Sequence, residues 1–241
     1  IEFKRIHDNQ GGHVTITGLE QHNSSTSHNR GLKVIIGPEK KKLTSRQFRL
    51  QKMAISNGWT FKKEVEWNTS YLQNFHFFET RPIERKKNHL KGKYDRFDAN
   101  WETSDITFDE GALLSSEVYN TTVHVVRLKN EIPKFAIEWE GFLSKFFDRV
   151  MSYAGYEELG FKLHTKFSSK FLVMGEDEEA LNNFFTPELV QFLESNKIHH
   201  IESNGKALMI FNYLRTARTD EIEKMLSFSE NMLSHMKQDK T

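Results

Sequence analysis

The sequence predicts an α+β fold: an antiparallel β-sheet with packed helices, the helices concentrated in the C-terminal third. Three observations predict it. Apolar and polar residues alternate between residues 90 and 139, as at Val123 and Val125 and at Phe135, Ile137 and Trp139, which is the two-residue period of a strand with one buried and one wet face. Apolar residues at helical spacing follow recognisable helix starts three times after Gly175. Asn204-Gly205 parts two apolar runs, and that dipeptide readily takes positive φ at both central positions of a hairpin turn.

Residues 1–43 read as a loosely attached N-terminal segment with a β-hairpin reading. Residues 13–17 and 32–36 are its two strands, joined by a polar loop over 21–31. His22 and His28 lie in that loop, and with His7 or His13 they could bind a metal. No spacing among them matches a metal-ligand motif, so solvated loop histidines are the favoured reading. Residues 44–241 read as one α+β domain, with a sub-division near residue 155 as the alternative.

The domain opens with a helix to about Asn57. Thr44 and Gln47 suit a capping box, Leu43 and Phe48 a hydrophobic staple, and Gly58 a stop. Tyr71, Phe75, Phe77 and Phe78 follow, either as core or as a base-stacking platform, with core packing favoured. The stretch 81–93 is basic and reads as a solvated loop or as part of a basic patch with residues 40–52. Residues 105–119 suggest a long connection between strands, and residues 142–153 a short helix. Phe171 to Met174 reads as a buried strand ended by Gly175. Glu176, Asp177, Glu178 and Glu179 complement a helix N-terminus, and Thr186-Pro187 starts a second helix. Asp220 and Glu223 resemble a capping box for a last helix. Its stripe of Ile222, Met225, Leu226, Ser229, Met232, Leu233 and Met236 suits a core, with a Met-rich binding groove as the lesser reading.

The 241 residues suffice for a substantial core, and 20 Phe and 4 Trp supply its bulk. No apolar run approaches the length that spans a bilayer, and no signal-peptide core is present. The chain begins at Ile1 rather than Met, which fits a fragment or a processed chain. Cysteine is absent, which excludes disulfides, thiolate metal sites and cysteine nucleophiles. No phosphate-binding glycine loop, nucleophile elbow or zinc-protease motif is present. Glu138 and Glu140 read as a solvated strand face rather than a catalytic pair, and His199-His200 sits in a strand. The expectation is therefore a protein without cofactor or metal, and a binding function ahead of an enzymatic one.

Charge is the compositional clue. Residues 1–100 carry 19 Lys and Arg against 10 Asp and Glu, a net +9, and residues 101–241 carry 15 against 23, a net −8. The residues expected to meet an anionic partner or membrane are Lys40, Lys41, Lys42, Arg46, Arg49, Arg85, Lys86 and Lys87. The alternative is nucleic-acid binding through residues 40–52 and 81–93.

The order of landmarks carries a resemblance. A capped helix ends in Ser-Asn-Gly-Trp-Thr-Phe at residues 56–61, and Leu-Lys-Gly-Lys-Tyr-Asp-Arg-Phe follows at 90–97. Ile-Pro-Lys-Phe-Ala-Ile-Glu-Trp-Glu stands at 132–140, Phe-Ser-Ser-Lys-Phe-Leu-Val-Met at 167–174, and Lys-Ala-Leu-Met-Ile-Phe at 206–211. Over roughly residues 44–236 this resembles a group of uncharacterised bacterial proteins that place such elements after N-terminal transmembrane helices. The resemblance implies a cytoplasmic domain, tethered to the inner membrane by segments outside this chain. It implies no catalytic residues.

Overall fold

The computed structural model describes residues 43–65, 69–110, 117–139, 157–158, 167, 170–196, 198 and 200–236. The chain divides into two units, Ile1–Thr44 and Ser45–Thr241. The strands expected at 13–17 and 32–36, the histidines at 7, 13, 22 and 28, and the helix at 142–153 lie outside the described residues.

The second unit is α+β. Its strands are β1 (Thr60–Glu64), β2 (Ile83–Tyr94), β3 (Ala99–Asp109), β4 (Val118–Arg127), β5 (Phe135–Trp139), β6 (Glu157–Glu158), β7 (Phe171–Gly175), β8 (His200–Ser203) and β9 (Ala207–Phe211). They form one sheet in the order β1-β2-β3-β4-β9-β8-β5-β7-β6, and every neighbouring pair is antiparallel. Its α-helices are α1 (Ser45–Ser56), α2 (His76–Glu79), α3 (Glu178–Phe184), α4 (Pro187–Ser195) and α5 (Thr219–His235). Two of these lie in the first third of the chain, so the helices are not clearly concentrated at its end.

Each sheet face has its own core. Leu50 and Met53 of α1, Leu181 and Phe184 of α3, Leu189 and Leu193 of α4, and Met225 and Met232 of α5 pack with Leu90, Trp101, Val126, Phe135, Ile137 and Ile210. The Met stripe of α5 is thus core and not a groove. On the opposite face Leu72, Phe75, Phe77 and Phe78 pack on Ile83, Ile106, Phe108, Val125, Met209 and Phe211. These three phenylalanines are at most 5 % exposed, so they cannot stack bases.

Local signals explain most element ends. After α1, Gly58 takes φ +70. Trp59 N–H then reaches Ala54 O at 2.8 Å and Gly58 N–H reaches Ile55 O at 3.4 Å, the paired bonds of a left-handed helix stop. Asp177 caps α3 by accepting from Ala180 N, and Thr186 caps α4 by accepting from Leu189 N. The last helix starts earlier than expected. Glu221, not Glu223, reaches back to the Arg218 N–H at 2.7 Å, because Arg215 holds its carboxylate at 2.7 and 2.9 Å. In the β8–β9 hairpin only Gly205 has positive φ. Asn204 instead turns the chain with its side chain, its Oδ1 accepting from Lys206 N at 3.1 Å and Ala207 N at 2.9 Å.

Three expectations change. The stretch 83–94 is a twelve-residue strand, not a loop. β3 runs on to Asp109 and β4 begins at Val118, so the connection is shorter than 105–119. Glu138 is 3 % exposed rather than solvated, since β5 is covered on both faces. The common cause is polar residues that are buried but paired. Asp105, for example, is 2 % exposed and accepts from Arg46 Nε and Nη2, Asn88 Nδ2 and Thr122 Oγ1.

Glu202, 1 % exposed, fastens α2 to the sheet. Its carboxylate accepts from the His76 N–H at 2.5 Å and the Phe77 N–H at 3.2 Å. Glu202→Ala leaves both amides without that acceptor, and a loss of about 2–3 kcal/mol in urea unfolding is expected. An unchanged midpoint would show that α2 is held by its phenylalanines alone.

Candidate functional site

The site lies on the sheet face opposite α1 and is built around Glu102 of β3. The face follows from register: Trp101, Thr103 and Asp105 point to α1 and α5, so Glu102 and Ser104 point away. Lys91 and Lys86 of β2 stand opposite Glu102 and Ile106, and Lys62 of β1 stands opposite His89. Arg127 ends β4 on the same face. A β-bulge at Lys87–Leu90, where Asn88 has φ 54, turns Asn88 to the helical side while His89 reaches Ser104.

Glu102 is 7 % exposed at its side chain and has three basic neighbours within 4 Å, each loosely placed. His89 Nε2 is 3.4 Å from Oε2, Lys91 Nζ 3.9 Å from Oε2, and Arg127 Nη2 3.7 Å from Oε1. Oε1 has no hydrogen-bond partner. Lys86 Nζ donates to Tyr71 Oη at 2.7 Å and lies 4.7 Å from the Tyr71 ring centroid, while the Arg127 guanidinium lies 5.2 Å from it. An ammonium only donates, so the Tyr71 hydroxyl proton is turned away from Lys86, and Glu102 is the acceptor that faces it.

The electrostatics are those of crowded cations. Burial lowers the Lys86 pKa, the Glu102 carboxylate opposes that, and Lys91 and Arg127 lower it further. His89 is pushed down to about 4, by burial first and then by Lys86, with Glu102 again opposing and Lys91 and Lys62 adding. Burial and Glu102 push the Tyr71 hydroxyl up. Lys86, Lys91 and Arg127 thus share one carboxylate, and Lys62 stands beside them opposite His89. Lys93 lies alongside but is neutralised by Asp98 at 2.6 Å.

Of the residues expected from sequence, only Lys86 belongs to this cluster. Arg46 is bound to Asp105 and also donates to the Ala217 carbonyl. Arg49 is exposed on α1. Arg85 is exposed and stands opposite Thr107, and Lys87 stands opposite Asp105. Lys40, Lys41 and Lys42 lie outside the described residues. Lys91 falls within the basic stretch 81–93 of the alternative reading, but sequence reasoning missed Lys62 and Arg127 because they lie on two other strands. Strand alternation at 60–64 and 90–93, with pairing, was the signal that could have joined them.

Beside the cluster is a cavity of about 710 Å³, lined in part by Tyr71, His76, Arg127, Lys134, Asn204 and Lys206. Among the described residues no group of His, Asp and Glu could hold a metal, and no helix is long and apolar enough to cross a membrane. Buried Ser229 and His124 sit 2.8 Å apart but are both 0 % exposed, so no substrate reaches them.

No protein-family model and no curated protein matches the chain. Among solved structures, the crystal structure of the mycobacterial trehalose monomycolate transport factor A, TtfA, is similar over 81 % of this chain and 98 % of that one, at 11 % identity and a TM-score of 0.45. A likeness at that level carries no inference about function.

Proposed function

We propose that this chain is a non-enzymatic cytoplasmic binding domain that docks onto an anionic surface, an acidic membrane leaflet or the acidic face of a protein partner, through the basic strip of Lys62, Lys86, Lys91 and Arg127. The observation that carries the reading is the charge imbalance: Lys86, Lys91 and Arg127 gather about one buried carboxylate with Lys62 beside them, and burial, then Lys91 and Arg127, lower the Lys86 pKa. An approaching anionic surface relieves that repulsion, so part of the binding energy is already stored in the free protein. Lys91 and Arg127 are 58 % and 57 % exposed at their side chains, so they can reach such a surface. Each basic residue near an acidic leaflet contributes about 1 kcal/mol. The resemblance to membrane-tethered bacterial proteins points the same way.

Co-sedimentation with vesicles tests the lipid form. Binding to phosphatidylglycerol vesicles, little to phosphatidylcholine, and weakening from about 0.05 to 0.5 M salt are expected. Equal binding to both vesicle types, or binding to neither, rejects it. A salt-sensitive shift of a labelled oligonucleotide without vesicle binding would put nucleic acid in its place.

A further inference from the structure

The cavity beside the strip is rich in donors and poor in acceptors. Its walls carry Arg127, Lys134 and Lys206. The acid on its wall, Glu79, is held by His76 Nδ1 at 3.0 Å. Arg127 is the notable wall. It is steadied by the Tyr71 ring at 5.2 Å and by Glu102 at 3.7 Å, yet among the described residues it donates no hydrogen bond. A guanidinium has five N–H donors in a planar fork that fits two oxygens of one oxyanion. Among the described residues Lys134 and Lys206 meet exposed acids, Glu176 at 3.4 Å and Glu131 at 3.3 Å, and such pairs are easily exchanged for a better anion. Asn204 commits its oxygen to the hairpin turn, which leaves its amide NH₂ for the cavity.

The floor is different in kind. Leu128 and the Tyr71 ring are half-buried along it, so that wall offers apolar surface. The volume falls within the range of small-molecule sites. Three cations suit a dianion better than a single carboxylate.

We propose that this cavity binds a phosphate monoester carried on an apolar body, with the Arg127 fork and the Lys206 and Lys134 ammonium groups on the phosphate and the body against Leu128 and the Tyr71 ring. The site shares Arg127 with the docking strip and deepens that reading. The shared chemistry is the phosphate monoester, and its source is either a lipid headgroup or a soluble organic phosphate.

Titration calorimetry on the full chain separates the sources. The probes are dihexanoyl phosphatidic acid below its micellar concentration and phenyl phosphate, with dihexanoyl phosphatidylcholine as control. One-to-one saturable binding is expected for at least one phosphate monoester, and none for phosphatidylcholine. Preference for phosphatidic acid assigns a lipid, and preference for phenyl phosphate assigns a soluble ligand. The double variant Lys134→Gln/Lys206→Gln should weaken binding at least about tenfold, and Arg127→Lys, which keeps charge but loses the fork, should also weaken it. Failure of both phosphate probes to bind, or binding that the double variant leaves unchanged, overturns the proposal. The double variant spares Lys62, Lys86 and Lys91, so it should still sediment with anionic vesicles. Probe binding without vesicle binding would overturn the docking reading and leave this one standing.

Discussion

Asp105→Ala is expected to cost about 3–5 kcal/mol of stability. The carboxylate is 2 % exposed and joins four elements. Its oxygens accept from Arg46 Nε at 2.9 Å and Nη2 at 2.7 Å on α1, from Asn88 Nδ2 at 2.7 Å on β2, and from Thr122 Oγ1 at 2.7 Å on β4. Thr122 Oγ1 in turn accepts from the Ala217 N–H at 2.8 Å, which fixes the approach to α5. Removing the acid leaves a half-buried guanidinium without its counter-charge and two side-chain donors without an acceptor. Urea unfolding measures the loss. Asp105→Asn keeps shape and part of the bonding and should lose less. Equal, small losses in both variants would mean that the apolar contacts of α1 carry its attachment.

Stability should fall steeply as pH drops from about 6.5 to 4. An unfolded histidine takes up its proton near pH 6.5. Folded His89 does so only near 4, held down by burial and by Lys86, and folded His124 only near 3, held down by burial. His124 is enclosed by Thr103 Oγ1 at 2.9 Å, Ser229 Oγ at 2.8 Å and Tyr94 Oη at 3.3 Å. Above pH 6.5 both states are neutral at these sites and the slope vanishes. Below it the unfolded chain binds up to two more protons, and the loss reaches about 2.7 kcal/mol per pH unit where both histidines differ. Urea midpoints at pH 7, 6, 5 and 4 check this. His89→Gln should reduce the slope. Midpoints that stay level between pH 6.5 and 4.5 would show that the histidines titrate normally in the folded protein.

The fold class was legible because its signals are local. Gly58 and Gly205 mark an end and a turn through their backbone, and Asp177, Thr186 and Asn204 do so through their side chains. What was not legible is pairing across distance. Asp105 looked like a loop residue because an isolated buried carboxylate is costly, and its partner Arg46 is 59 positions away. The basic strip was hidden for the same reason. Runs such as 40–42 and 85–87 attract notice in sequence, whereas Lys62, Lys91 and Arg127 meet only when β1, β2 and β4 are laid in register. The +9 and −8 halves are in part a statement about internal pairing, since Arg46 with Asp105 joins one to the other.

The most direct test compares two charge reversals in sedimentation with phosphatidylglycerol vesicles. One variant is Lys62→Glu/Lys91→Glu/Arg127→Glu on the strip, and the other is Arg49→Glu/Lys52→Glu on the outer side of α1. All five side chains are exposed, and urea unfolding checks that each variant is folded, since the strip reversal also removes counter-charges of Glu102. The account predicts that the strip variant loses binding at least about tenfold and the helix variant keeps it. Binding that survives the strip reversal, or is lost instead with α1, would contradict it.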